Sequence, residues 1–182
     1  MGVIVVTGIP GVGKTTVMQK AAEGMDIKFV TFGTVMSDIA IKDGLVEDRD
    51  EMRKLTLKQQ RDLQIKSAKK VASMGNVILD THCTVKTPKG YMPGLPEWVI
   101  KEINPTSIVV VEADPKEIYN RRTSDKTRSR DPDTVDQIEE HQMINRATAM
   151  AYAALTGATV KIVFNHDDRI SEAVKQAAPV LD

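Results

Sequence analysis

The stretch Gly8-Ile9-Pro10-Gly11-Val12-Gly13-Lys14-Thr15, followed by Thr16, has the spacing G-x-x-x-x-G-K-[ST]. Its residue types suit the cradling of a phosphate chain. Gly8, Gly11 and Gly13 remove Cβ atoms, so that backbone N–H groups can approach phosphate oxygens closely. The helix that follows adds N-terminal N–H groups and a dipole that favours negative charge. Lys14 would place an ammonium beside the β- and γ-phosphates, and the Thr15 hydroxyl would ligate Mg²⁺. A glycine-rich turn that only joins strand to helix is the bland alternative. The expected ligand is ATP, held along residues 8–16. A metal of this kind needs a partner acid at another strand end, acting through water. Asp80, which closes Asn76-Val77-Ile78-Leu79-Asp80, is the first candidate, and Glu112, which closes Val109-Val110-Val111-Glu112, is the second. For either acid the bland alternative is a strand end that faces solvent.

Transfer of a phosphoryl group between two anionic nucleotides requires more cations than one lysine, to neutralise the moving group and exclude water. Residues 121–130 hold Arg121, Arg122, Lys126, Arg128 and Arg130 against one acid, Asp125. The planar arginine fork suits phosphate, so Arg122, Arg128 and Arg130 are expected to close over the transferring group; a solvated basic loop is the alternative. In Asp48-Arg49-Asp50-Glu51-Met52-Arg53-Lys54, Arg49 and Arg53 are four apart and share a face if helical. That face would grip an acceptor phosphate, unless the stretch is a helix laced with Arg–acid pairs. Thr34 opens a preceding helix and offers a hydroxyl. Asp80 and His82 leave a strand at its carboxyl end, where open α/β sheets bind ligands. His82 is read as a contact to the acceptor's base or phosphate. It is not read as a general base, since a phosphate acceptor is already ionised near neutral pH. Cys83 reads as a bystander.

These residues must be positioned by a scaffold. The chain has 182 residues, 41% of them hydrophobic, which suits a single domain over 1–182 with an ordinary core. Lys+Arg and Asp+Glu both number 25, so the basic surplus of a duplex-binding protein is missing. A single cysteine excludes a disulfide framework and a four-cysteine zinc site, and fits a reducing interior. The apolar runs are about a strand long, so no membrane span is expected, and Met-Gly-Val-Ile-Val-Val is not read as a signal peptide. Strands are expected at Val3–Thr7, Lys28–Phe32, Asn76–Asp80, Ser107–Glu112 and Thr159–Phe164. Helices are expected at Lys14–Ala22, Gly33–Ile41, Thr56–Ser73, Glu97–Ile103, Lys116–Arg122, Val135–Leu155 and Ile170–Ala177. The alternation predicts a three-layer α/β P-loop NTPase fold, a five-stranded parallel sheet flanked by helices. Residues 33–75 form a helical insert suited to binding the acceptor, and residues 123–134 a short polar insert suited to a lid. Asp133 or Thr134 is expected to cap the long helix. His141 on that helix is read as structural, and its Ala/Met surface as core, with any remainder left for a subunit interface.

A phosphate loop alone leaves a nucleotide kinase and an NTP-driven switch or assembly factor both open. The loop, together with Phe32-Gly33-Thr34-Val35-Met36, Glu47-Asp48-Arg49-Asp50, Met52-Arg53-Lys54-Leu55, Asp80-Thr81-His82, Lys86-Thr87-Pro88-Lys89-Gly90-Tyr91, Gly94-Leu95-Pro96 and Thr156-Gly157-Ala158-Thr159-Val160-Lys161, resembles the archaeal-type adenylate kinases. The resemblance spans almost the whole chain. It implies reversible Mg²⁺-dependent transfer between ATP and AMP to give two ADP, a cytoplasmic enzyme and a homotrimer; the acceptor contacts read above from the residues, Thr34, Arg49, Arg53, Asp80 and His82, would then hold AMP. Two departures from bacterial-type relatives stand out. Asp80-Thr81-His82 replaces Asp-Gly-Phe-Pro-Arg after the third strand, and the lid is short and lacks cysteines. A kinase for another nucleoside monophosphate is the nearest alternative.

Overall fold

The computed structural model describes residues 2–125 and 133–181. Five strands form one parallel sheet: β1 (Val3–Thr7), β2 (Lys28–Thr31), β3 (Val77–Asp80), β6 (Ser107–Glu112) and β7 (Thr159–Phe164), in the order β2-β3-β1-β6-β7. β1 is central and all of its residues are buried, as a strand covered on both faces must be. From β1 the chain crosses to one side of the sheet, and from β3 to the other. The crevice between their carboxyl ends is therefore the switch point at which such sheets bind ligands. The register pairs Val6 with Asp80 and Thr7 with Val110.

The strands' alternate residues feed two core layers. Val3, Val5, Leu79 and Val110 pack with α3 (Leu57–Ala72), α4 (Glu97–Ile103) and α6 (Val135–Thr156) through Ala68, Ile100 and Ala149. Ile4, Val6, Ile78 and Val111 pack with α1 (Lys14–Ala21), α5 (Pro115–Ser124) and α7 (Ile170–Ala177) through Met18, Ile118 and Ala173. Residues 33–75 hold α2 (Phe32–Lys42) except for its first residue, then a 3-10 turn (Arg49–Lys54), then α3. They carry a small core of their own, Ala40, Val46 and Leu63. The helix starts are chemically marked. Thr56 with Gln59, Asp114 with Glu117 and Thr134 with Gln137 each form a capping box. Thr134 thus caps the long helix, and Asp133 is left for another use. Gly157, with φ 76°, ends the same helix in the left-handed conformation.

Three differences from the sequence expectation have local causes. Phe32 belongs to α2, because β2 ends at Thr31. The stretch after Asp80 is not a plain loop: β4 (Thr84–Thr87) and β5 (Gly90–Pro93) form a separate antiparallel hairpin. Its turn is closed by Thr87, whose hydroxyl donates to Gly90 O at 2.8 Å and accepts from Lys89 N at 3.2 Å. The Arg49–Lys54 segment is 3-10 and not α-helical. At three residues per turn, positions four apart lie roughly 120° apart around the axis, so Arg49 and Arg53 do not share a face.

The hairpin is stitched to the long helix by Tyr152. Its hydroxyl donates to Cys83 O at 2.9 Å and accepts from Leu95 N at 3.1 Å. Burial pushes the phenol pKa up, so the hydroxyl keeps its proton. Tyr152→Phe takes the partner from the buried Leu95 N–H, while Cys83 O keeps Gly94 N at 2.7 Å, and is expected to cost about 1–3 kcal/mol in urea unfolding. A midpoint equal to that of the parent would remove this stitch from the account.

Candidate active site

β1 ends at Thr7 and the phosphate-loop sequence follows directly, curling over the sheet's carboxyl edge into α1. α1 starts with Gly13 as its N-cap, without a side-chain cap and without an acid in its first turn. Its N-terminal N–H groups are thus left to an anion. An open pocket of about 480 Å³ lies over this end, lined by Ile9, Pro10, Gly11, Gly13 and Lys14, then by Thr15 and Thr16. His82, Arg121 and Asp125 complete the wall. Val12 is wholly buried in the core beneath the loop and does not line the pocket. The glycines also answer to what lies behind the loop. A Cβ on Gly8 would sit 2.7 Å from the backbone oxygen of Val111.

Asp80 stands where the β1–β3 register puts it, beside the root of the loop. It is 5% exposed. Its Oδ1 lies 2.9 Å from Lys14 Nζ, and its Oδ2 accepts from Thr15 Oγ1 at 2.5 Å. A buried carboxylate is tolerated only with such partners. A carboxylate and a hydroxyl side by side are hard oxygen donors of the kind Mg²⁺ takes alongside phosphate and water. Among the described residues no group of three His, Cys, Asp or Glu side chains is placed to hold a metal ion by itself. Glu112, the second candidate, is turned elsewhere. Arg146 on α6 donates to it from Nε at 2.9 Å, and also from Nη2.

His82 stands at the pocket wall, with Lys14, Asp80 and the Gly8 backbone close enough to perturb it. The residues around it are anchored by a buried polar net. Thr7 Oγ1 accepts from Cys83 N at 2.9 Å, and Asn145 Oδ1 accepts from Thr84 Oγ1 at 3.2 Å. His141 Nε2 lies 3.1 Å from the same Thr84 hydroxyl, and its ring packs on Tyr91. His141 is therefore structural, as its sequence context suggests. Cys83 is fully buried and its thiol is pushed up to about 12, which leaves it unreactive.

The cations are distributed unevenly. Arg122 donates from Nε to Pro10 O at 2.7 Å and from Nη1 to Asp133 Oδ2 at 2.7 Å. Asp133 also meets Lys86 of the hairpin at 2.5 Å. Burial raises the Asp133 pKa, but these two cations outweigh it and hold the carboxyl below its ordinary range. Arg128 and Arg130, with Lys126, lie outside the described residues. Arg49 reaches back to the start of α2: a Cβ on Gly33 would fall 2.7 Å from its Nη2. Thr34 is exposed beside it, and Arg53 is exposed on another side of the 3-10 turn. One residue at the site went unremarked in the sequence, Asn165, while Arg121 was read only as one cation of the 121–130 cluster. The one available signal was the position of Asn165 just past the carboxyl end of a strand.

The histidines give a pH test. Burial is the largest cause lowering the pKa of both His82 and His141. The Lys14 ammonium adds to it at His82, against opposition from Asp80 and the Gly8 backbone. A folded pKa below the unfolded one means the unfolded chain protonates first as pH falls. The stability these rings contribute is complete above the unfolded value of 6.5 and is lost as pH falls from there through the folded values. Ring-carbon NMR titration should give both midpoints below 6.5; a midpoint at or above it for either ring contradicts the packing described.

Comparison with known proteins fits this geometry. A sequence profile described as an AAA domain matches residues 7–139. An adenylate kinase of Methanothermobacter thermautotrophicus is 51% identical over 100% of both chains. That of Methanopyrus kandleri is 54% identical over 96% of this chain and 94% of its own. Among solved structures, a shikimate kinase from Bacteroides thetaiotaomicron superposes with a TM-score of 0.58 at 14% identity, covering 99% of this chain and 98% of its own. A gluconokinase from Sinorhizobium meliloti gives 0.53 at 16%, covering 99% and 91%. These two show a shared fold alone. With the phosphate-loop pocket at the switch point of its sheet and half of its residues shared with those full-length relatives, the chain belongs to the adenylate kinase family.

Proposed function

We propose that the protein is an adenylate kinase, converting ATP and AMP reversibly into two ADP by direct in-line transfer. The observation that carries this reading is the Lys14–Asp80–Thr15 cluster at the uncapped start of α1, in a chain of this family. Lys14 exchanges Asp80 for the β- and γ-phosphate oxygens, and the loop's N–H groups hold the rest of the triphosphate. Thr15 and, through water, Asp80 would hold Mg²⁺, which when bound offsets phosphate charge and orients the triphosphate. The acceptor phosphate is already ionised, so no side chain need remove a proton.

Residues 33–75 are assigned to AMP. A guanidinium at the positive end of a helix is ill placed by itself. Arg49 against the start of α2 becomes well placed once an anion lies between them, with Thr34 alongside. Arg53 joins from a different side of the 3-10 turn, and His82 and Asp80 border the acceptor from the loop side. Residues 123–134 are assigned to the lid, with Arg122, Arg128 and Arg130 screening the transferring group. Arg122 reaches it by giving up Asp133.

We further assign a homo-oligomer, a trimer as in the family's resemblance, and a cytoplasmic setting. Supporting the first, α6 exposes Met143 (68%), Met150 (55%) and Leu155 (46%) on its outer surface. For the second, no helix of the described residues is long and apolar enough to cross a membrane.

Mixing the pure protein with Mg-ATP should yield ADP only when AMP is added; ADP formed equally without AMP points instead to an NTPase. Lys14→Ala should lower kcat at least ~100-fold, the scale for loss of one group stabilising transition-state charge. It should still unfold cooperatively, at a lower temperature because Asp80 loses its counter-ion. Sedimentation should show Met150→Glu dissociating the oligomer, and a monomeric parent would remove the assembly assignment.

A further inference from the structure

The peptide joining Val12 to Gly13 is gripped from behind. Asn165, the first residue past β7, donates from Nδ2 to the Val12 carbonyl at 2.8 Å. The same oxygen accepts from Arg121 Nη1 at 3.4 Å. Asn165 is itself fixed at both backbone ends. Its N–H donates to Glu112 O at 2.8 Å, and its carbonyl accepts from Arg121 Nη2 at 2.8 Å. Arg121 is steadied in turn by Asp167, which accepts from its Nε at 2.7 Å. The ends of β6 and β7 and the last turns of α5 thus converge on one carbonyl of the phosphate loop.

A trans peptide is planar, with its C=O and N–H on opposite sides. Holding the Val12 oxygen outward therefore turns the Gly13 N–H towards the pocket that Gly13 lines. Gly13 has φ 81°, and a Cβ there would lie 2.6 Å from Asn165 Nδ2. The glycine and the asparagine are a matched pair: the bare Cα makes room for the amide that orients the glycine's own N–H. Without that amide the carbonyl can rotate inward and present an oxygen where phosphate oxygens must sit, exchanging an attraction for a repulsion.

We infer that Asn165, held in place by Arg121, is a positioning residue for the triphosphate: it sets the loop's N–H groups and does not itself line the pocket. The inference rests on the nucleotide reading of the loop. It places the effect on ATP and not on AMP, whose assigned phosphate contacts, Thr34, Arg49 and Arg53, lie in residues 33–75. Asn165→Asp keeps the size and both backbone bonds but replaces the amide donor by a carboxylate facing the Val12 oxygen. It should raise KM for ATP, and the equilibrium Kd for Mg-ATP, about tenfold, the effect of losing one buried hydrogen bond. KM for AMP should stay within about twofold, even though a buried carboxylate that faces an oxygen lowers the melting temperature by itself. Asn165→Ser, too short to reach Val12, serves if the first variant does not fold. An unchanged Kd for Mg-ATP overturns the inference. So does a rise in both KM values, because that marks a merely structural residue. A parent enzyme without AMP-dependent ADP formation would instead overturn the adenylate kinase reading, independently of what the variants do.

Discussion

A single buried carboxylate organises the site. Asp80 is 5% exposed, and a charge so far from water is stable only if its oxygens are matched. Lys14 takes one oxygen and Thr15 the other, so the first turn of α1 is locked to the end of β3. That lock depends on register. Because β1 and β3 pair Val6 with Asp80, the acid arrives beside the root of the loop; a slip of one residue would turn it to the opposite face of the sheet. The apolar runs of β1 and β3 decide where the charge goes, and the charge decides how the loop begins.

Around this lock the loop's carbonyls are held from outside by side chains distant in sequence. Pro10 O accepts from Arg122 and Val12 O from Asn165 and Arg121. The consecutive arginines of α5 therefore do more than carry positive charge. They satisfy the oxygens whose outward turn leaves N–H groups facing in, which a loop without strand neighbours could not manage alone. The hairpin has a comparable part on the other flank, where Thr7, Thr84 and Asn145 share hydrogen bonds beneath His82.

The fold was largely readable because strong local signals agreed. Val3–Thr7, Ser107–Glu112 and Thr159–Phe164 have the same bounds in sequence and structure, since each is an apolar run framed by turn residues. The Thr84–Thr87 and Gly90–Pro93 hairpin was not readable: two four-residue strands with mixed polarity and a proline carry too little period to register. The 3-10 turn at Arg49–Lys54 defeated the face argument because six residues do not reveal whether three or 3.6 fit each turn. Asn165 escaped because its partner Val12 is 153 residues away, and only the folded sheet brings strand ends together. Asp80, by contrast, was legible as an acid at the end of a buried run.

The contact between Arg122 and Asp133 ties the last turns of α5 to the residue just before the cap of α6. Those two helix ends are therefore held by a side-chain clasp as well as by the chain that joins them. Closure entropy changes by only about 0.6 kcal/mol for each doubling of a flexible connection. Insertions or deletions between the two residues should therefore leave both helices in place, provided the arginine and the aspartate of the clasp are kept.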